Sequence, residues 1–329
     1  MPNVTLTLTG SASTSTLSDG SGNYTFTSLT SGGSYIITPT KSALPPGSPG
    51  ITIVDVVATQ RHFLNIAPLP PGCRLTAADV NGDTSINIVD VVAIQRFFLG
   101  QTTGIANTGN YQFTPASRTY PGVTTDQTAQ NYDTLVLGDV ASSFVHRPEG
   151  PSQDAPGDDT SVSAPSGLKT SAGEVLAPVA EVSLPEVAVA QARSNFIAAV
   201  RTSAVDAKNR LVGFQGDFTF DERAVTFQSE PVQPAGITDS NWNVSGNVLP
   251  GAGPIRTLRI SAFSNDFTPL SGSGTLFELR ISRVSQAAQG TRLLWAAPPD
   301  QFIFIDADLN TQEPGHAAPG SVTPSGKRE

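Results

Sequence analysis

The strongest constraint on this chain is a duplication. ITIVDVVATQRHFL at residues 51–64 returns as INIVDVVAIQRFFL at residues 86–99, with eleven of fourteen positions identical. Val56, Val57, Gln60, Phe63 and Leu64 in the first copy, and Val91, Val92, Ile94, Phe98 and Leu99 in the second, recur at helical spacing. Each copy is therefore predicted to be a short amphipathic helix reached through an extended Ile-x-Ile. Two copies predict a helical pair packed stripe to stripe, with PLPPG as part of the turn between them.

Immediately before the second helix stands DVNGDTSINIVD, residues 79–90. It places Asp79, Asn81, Asp83, Ser85, Asn87 and Asp90 at loop positions 1, 3, 5, 7, 9 and 12, a spacing that wraps oxygen ligands around a hard cation such as Ca2+. Two departures bear on affinity: position 6 is Thr84 where glycine is usual, and position 12 is Asp instead of the longer Glu. A metal-free Asp/Asn-rich turn is the competing reading.

The loop with its helix closely resembles the type I dockerin repeat. In that family two such repeats form a compact, EF-hand-type, calcium-dependent module that binds a cohesin. The first repeat departs from the pattern, because aligning Asp55 with Asp90 puts Leu44, Pro46 and Ser48 at positions 1, 3 and 5. The resemblance therefore implies one calcium in this module. It also carries the family's recognition positions onto Ile88, Val89, Gln95 and Arg96, with the duplicates Ile53, Val54, Gln60 and Arg61. For side chains as apolar as Ile and Val, a place in the core competes with a place at an interface.

The rest of the chain reads as β-structure, in short Thr/Val/Leu/Ile/Phe runs bounded by Gly, Ser, Asn and Pro. In VTLTLT, Val4, Leu6 and Leu8 alternate with three threonines, the pattern of a half-buried strand. SDGSGNYTFTSL then supplies a turn and a second strand, and SYIITPT a third. This stretch resembles the carboxypeptidase regulatory-like and Cna B-type β-sandwich modules, although the strand that normally precedes VTLTL is missing. An edge beside Val4, Leu6 and Leu8 is accordingly predicted either to accept a strand from elsewhere or to be covered by the helices. Further on, LVGFQGDFTFDERAVTF and PLSGSGTLFELRIS resemble strands of the cohesin sandwich, a jelly roll that uses one sheet face as a docking platform.

The predicted fold is mainly β, with two β-sandwich modules and a small α-helical pair between them. Its parts are a partial, Ig-like N-terminal sandwich over residues 1–43, a dockerin-like module with an extended arm over 44–145, a Pro/Ser/Gly-rich linker over 146–182, and a cohesin-like sandwich over 183–325. The arm is expected to lie against the helices.

Composition narrows the function. A formal charge of -9 over 329 residues offers nothing to nucleic acid or an anionic membrane. No apolar stretch is long enough to span a bilayer. The opening MPNVTLTLTG has neither the basic segment nor the apolar core of a signal peptide, so an exported protein would be numbered here from within a mature or truncated form. Cys73, the single cysteine, forms no internal disulfide, and His62, His146 and His316 lack metal-ligand spacing. No catalytic motif is present.

The resemblances imply a non-catalytic, extracellular or cell-surface assembly protein with a cohesin- or dockerin-type partner, a second copy of the chain included. Head-to-tail contact between copies would then build a filament. The second reading is a carbohydrate-binding surface protein, which needs exposed aromatics, and the C-terminal sandwich offers Trp242 and Trp295. Asp306, Asp308 and Asn310 have the spacing of the start of another calcium loop, but no acid completes it, and a plain turn is the stronger reading.

Overall fold

The computed structural model describes residues 1–141, 179–189, 195–284 and 290–324. The predicted linker falls almost wholly outside these residues, as does His146. Strands β1 (Thr5–Gly10), β2 (Thr14–Leu17) and β3 (Gly33–Thr40) open the chain. Helices α1 (Ile53–Phe63), α2 (Cys73–Ala78) and α3 (Ile88–Phe98) follow, and then β4 (Tyr111–Thr114), β5 (Arg118–Val123) and β6 (Asp133–Val136).

The N-terminal sheet runs β2-β1-β3-β5. β1 is central: Thr5 faces Leu17 of β2 on one side and Thr40 of β3 on the other. The open edge predicted beside Val4, Leu6 and Leu8 is therefore closed by the chain's own β2, and those three side chains turn into a core with Tyr35 and Ile37. The arm corrects the predicted boundary at residue 43. β5 adds to the free edge of β3, with Ile37 opposite Arg118, so the helical module is inserted between two neighbouring strands of one sheet. Both ends of the arm pack on the helices as predicted, Ala106 and Tyr111 at its start and Leu135 to Ala141 at its close.

The two helices of the duplication match in detail. Thr52 and Asn87 are the N-caps, and Asp55 and Asp90 close a capping box at each start. At the far ends Asn65 and Gly100 adopt φ of 55° and 72°. The N–H groups of Ile66 and Gln101 then reach back to the carbonyls of Arg61 and Arg96, the left-handed stop that favours Gly or Asn.

The C-terminal part is a two-sheet sandwich. Its strands are β7 (Val182–Ser183), β8 (Glu186–Val189), β9 (Asn195–Val205), β10 (Leu211–Asp221), β11 (Val225–Pro234), β12 (Trp242–Val248), β13 (Ile255–Ser264), β14 (Gly272–Arg283), β15 (Thr291–Trp295), β16 (Ile303–Asp306), β17 (Thr311–Gln312), β18 (Ala317–Ala318) and β19 (Gly320–Pro324). One sheet runs β12-β13-β10-β15-β19-β8, with β16 also on β10, and the other β11-β14-β9-β7-β18. Between them lies an aromatic core in which Phe214 stacks on Trp242, Phe277 and Phe302.

β10 and β13 are buried on both faces, which a sheet of a free-standing sandwich would not be. Inward go Phe214, Phe218, Leu258, Ile260 and Ala262. Outward go Val212 and Phe263, which share a second core with Ile53, Val56 and Val57 of α1 and with Ile94 and Phe97 of α3. The helical pair thus lies on the outer face of this sheet. Gly213 permits the approach, since a Cβ there would stand 3.2 Å from the Val57 Cγ2 and 3.3 Å from the Ala262 carbonyl oxygen. Gly213→Val should lower stability by about 1–3 kcal/mol through overpacking, with Gly213→Ala milder, as read from urea unfolding midpoints.

Candidate interface and metal loop

The contact between helices and sandwich is polar at its centre. From the duplicated Gln-Arg pair, Gln60 donates through Nε2 to the carbonyls of Ser264 (2.8 Å) and Asn265 (3.2 Å). Its counterpart Gln95 donates to Asn243 Oδ1 (3.0 Å) and Ser261 Oγ (3.3 Å). Gln215 Oε1 accepts the Ile53 N–H at the start of α1, and Asn247 donates to the Leu99 carbonyl at the end of α3. Equivalent positions of the two repeats therefore grip one sheet.

Arg259 on β13 completes the contact. Its Nε and Nη2 bind Asp217 at 2.8–3.2 Å, its Nη1 reaches the carbonyls of Gly47 and Phe98 at 3.3 Å, and its guanidinium lies 5.0 Å from the Phe98 ring centroid. Both members of the pair are buried, the arginine side chain 9% exposed and the aspartate 6%. The donated hydrogen bonds and the positive charge suit the carbonyl end of α3.

The predicted partner-binding set divides. Ile53, Gln60 and Gln95 are buried against the sandwich. Ile88 and Val89 are 47% and 48% exposed at the start of α3, and Arg96 is exposed and bonded to the Thr102 carbonyl. Val54 and Arg61 are half-buried. Arg259, Asp217, Gln215, Asn243 and Asn247 were not singled out from the sequence. The signal was phase at Phe263, an apolar residue on the side of β13 that should face water; Val212 reaches that side only through the register shift between Leu211 and Gly213.

In the 79–90 loop, Asp79 accepts the N–H groups of Gly82, Asp83 and Thr84, Asn81 Oδ1 accepts that of Asp83, and Asp83 accepts that of Ser85. Thr84 adopts φ of 71°, the conformation that makes glycine usual at that position. Asn87 caps α3 through its Oδ1, and its Nδ2 donates to the Ser85 carbonyl at 3.3 Å, so it stands in the loop as a donor. Asp90 is directed inward: its Oδ1 takes the N–H of Val80 and Asn81, and its Oδ2 takes that of Asn87. Among the described residues no three acidic, His or Cys side chains are gathered as a metal cluster. The loop nevertheless fits an oxygen-seeking cation in part. Asp79, Asp83 and Asp90 have no ion-pair partner among the described residues, and Asp90 Oδ2 keeps a lone pair. Burial, with the nearby Asp79 charge, pushes the Asp90 carboxyl above the usual range against the pull of its N–H donors.

The first repeat is rebuilt from elsewhere. Asp55 Oδ1 accepts the N–H groups of Val140 (2.8 Å) and Ala141 (3.0 Å), as Asp90 Oδ1 accepts those of Val80 and Asn81. Gly138-Asp139-Val140-Ala141 stands where Ala78-Asp79-Val80-Asn81 stands in the second repeat. The limb that Leu44, Pro46 and Ser48 do not provide thus comes from the end of the arm.

Asp306 accepts the N–H groups of Asp308 and Asn310 and the side-chain amides of Asn310 and Gln312, while Asp308 pairs with Arg210. This is the plain turn between β16 and β17, held by Asp306. Trp242 is 8% exposed in the core, and Trp295 packs edge-on against Phe218, so neither forms a sugar platform. His62 spends its Nδ1 on the Leu69 N–H.

No protein-family model and no curated protein matches the chain. Solved structures with some likeness include the sixth cohesin of scaffoldin B from Acetivibrio cellulolyticus, crystallised with the Cel5 dockerin. It is 15% identical at a TM-score of 0.36 and covers 45% of this chain and 99% of its own. CaCohA2 from Clostridium acetobutylicum is 17% identical at 0.34, covering 46% and 93%. A type III cohesin of the ScaE cell-surface anchoring scaffoldin of Ruminococcus flavefaciens is 9% identical at 0.32, covering 45% and 89%. Likenesses at this level carry no weight for function, and the architecture stands on the strand order alone.

Asp139 has a further property with a measurable result. Burial, then the Asp55 charge, raise its carboxyl to about 8 against the pull of Arg74. The unfolded chain releases this proton near 3.8, so the folded state binds more protons between the two values. The stabilising contribution is whole below about pH 4 and lost as the pH rises through about 8. Asp139→Asn should remove that loss, so that stability falls less between about pH 5 and pH 9 than in the parent chain, by chemical denaturation at each pH.

Proposed function

We propose that this chain is a non-catalytic, extracellular, calcium-stabilised assembly protein in which a dockerin-like helix pair and a cohesin-like sandwich recognise one another. The observation that carries the reading is the seating of both repeats, through Gln60 and Gln95, on one face of the β12-β13-β10-β16 sheet beside the Arg259–Asp217 pair. A duplicated module resembling one partner, placed on the sheet face of a sandwich resembling the other, is the arrangement the two resemblances imply.

Calcium would draw on Asp79, Asn81, Asp83, the Ser85 carbonyl and the free lone pair of Asp90, neutralising carboxylates that no basic side chain pairs. An aspartate at position 12 and Thr84 at position 6 suit the modest affinity that millimolar extracellular calcium tolerates. The loop leads straight into α3, whose Gln95, Phe98 and Leu99 touch the sandwich, so ion binding and docking are coupled.

The filament expected from the sequence needs the same two faces to meet between chains. Here they meet within one chain. Covalent joining through about 37 residues sets a local concentration on the order of millimolar, so the closed monomer prevails at micromolar protein. Exchange of these contacts between chains becomes competitive only when copies are crowded to that level.

The test is to cleave the full chain between residues 142 and 178 and follow the two parts by gel filtration with light scattering. They should co-elute in calcium and separate in chelator, and Arg259→Ala, which strands a buried Asp217 at a cost of about 3–5 kcal/mol, should separate them in both. Parts that never co-elute would end the docking reading, and parts indifferent to chelator would end the calcium coupling. Asp79→Ala should remove the calorimetric heat of calcium binding while leaving the sandwich transition in place.

A further inference from the structure

The N-terminal sheet is covered on its core side by chain that forms no ladder. Residues 23–27, NYTFT, keep a strand's alternation, with Tyr24 and Phe26 turned into the core and Thr25 and Thr27 exposed, until Ser28 at φ of 60° breaks the phase and Leu29 follows inward. Among the described residues no backbone N–H or C=O from Tyr24 to Leu29 makes a hydrogen bond. Opposite it, residues 124–131 are open on the donor side only, and the Ala129 carbonyl takes the Asn131 N–H. Their own backbone N–H groups bond only at Asn131, although the carbonyls of Thr125, Thr128, Gln130 and Asn131 take side-chain donors. Between the two segments is a cleft of about 780 Å³, lined by Tyr24, Phe26, Leu29, Tyr120 and Val123 over the buried Leu8, Tyr35 and Ile37.

We infer that this cleft is an acceptor for an added β-strand, taking an extended, uncharged peptide with apolar side chains at alternate positions. Unused donors and acceptors on residues 24–29, facing unused donors on 124–130, want a peptide backbone, since only that presents both groups at the repeat of a strand. The volume agrees. A strand residue fills about 3.3 Å by 4.8 Å by 10 Å in a packed sheet, roughly 160 Å³, so the cleft holds about five residues. The apolar side chains of the lining ask for every second side chain of the peptide to be apolar, and the rest of it, Gly, Thr, Ser, Asn, Gln and Ala, carries a single charge, Asp126.

A glycan fits less well. The Tyr24 ring is inclined 69° to Phe26 and 47° to Tyr132, so there is no flat platform. The tyrosine hydroxyls are already spent on Gln130, Ile37 and Thr30. This site shares no residue with the helix–sandwich contact, so neither proposal falls with the other.

Hydrogen exchange on the full chain tests the site, with the acetylated, amidated hexapeptide VTLTLT, a copy of residues 4–9, as probe. The amides of 24–29 and 124–130 should exchange fast in the free protein and slow at least roughly tenfold with saturating peptide. The same peptide N-methylated at alternate amides should give no protection, and Thr27→Pro should abolish protection by the parent peptide. Should Thr27→Pro unfold the sheet, the N-methylated peptide decides alone. Slow exchange at 24–29 without peptide, no protection at millimolar peptide, or equal protection by the N-methylated form would overturn the inference. So would protection by cellohexaose in place of the peptide.

Discussion

One arginine reaches from the sandwich into the helical pair, and much of the molecule is arranged around it. Arg259 is held by Asp217 on the neighbouring strand and also partly by Asp300. A buried pair of this kind returns little net stability, because removing both charges from water costs about what their attraction restores. Its effect is on specificity. With the helices absent, Arg259 and Asp217 would lie at the surface of the sheet. With any other cover, the guanidinium would face the apolar underside of a helix without an acceptor. The carbonyls of Gly47 and Phe98 answer it, and so fix where α3 must end relative to β13.

The two repeats show how far duplicated sequence carries duplicated structure. Helices, caps and stops agree residue for residue, since each depends on contacts within a turn or two. The loops diverge, yet the requirement of the buried carboxylate persists. Asp55 and Asp90 each need two N–H donors beyond their own capping box, and each finds them. In one repeat they come from the residues just upstream. In the other they come from Val140 and Ala141, some 85 residues away in sequence. The physical demand of an enclosed carboxylate is conserved while its source is not.

The same contrast explains what could be read in advance. The helical pair, the oxygen-rich loop and the mainly β character are local patterns, and the structure has them where the patterns fall. The pairing of β5 with β3 joins residues far apart, and no property of RTYPGV announces its partner, because strand pairing is set by register and burial that a single strand does not encode. The seating of the helices was half legible: Gln60 and Gln95 stood out, but Arg259 and Asp217 looked like ordinary polar residues of an exposed sheet face. Asn87 was read by its loop position, and its stronger role is local, as the cap of α3.

The insertion of the helical module between β3 and β5 bears on the order of events as the chain folds. Ile37 cannot find Arg118 until the intervening chain has become compact, for closing so long a loop of unfolded polypeptide costs entropy that a single strand pair does not return. The helices, built from near neighbours, collapse first and bring the ends of the module together. The N-terminal sheet is therefore completed late, as a seal placed on a module already formed.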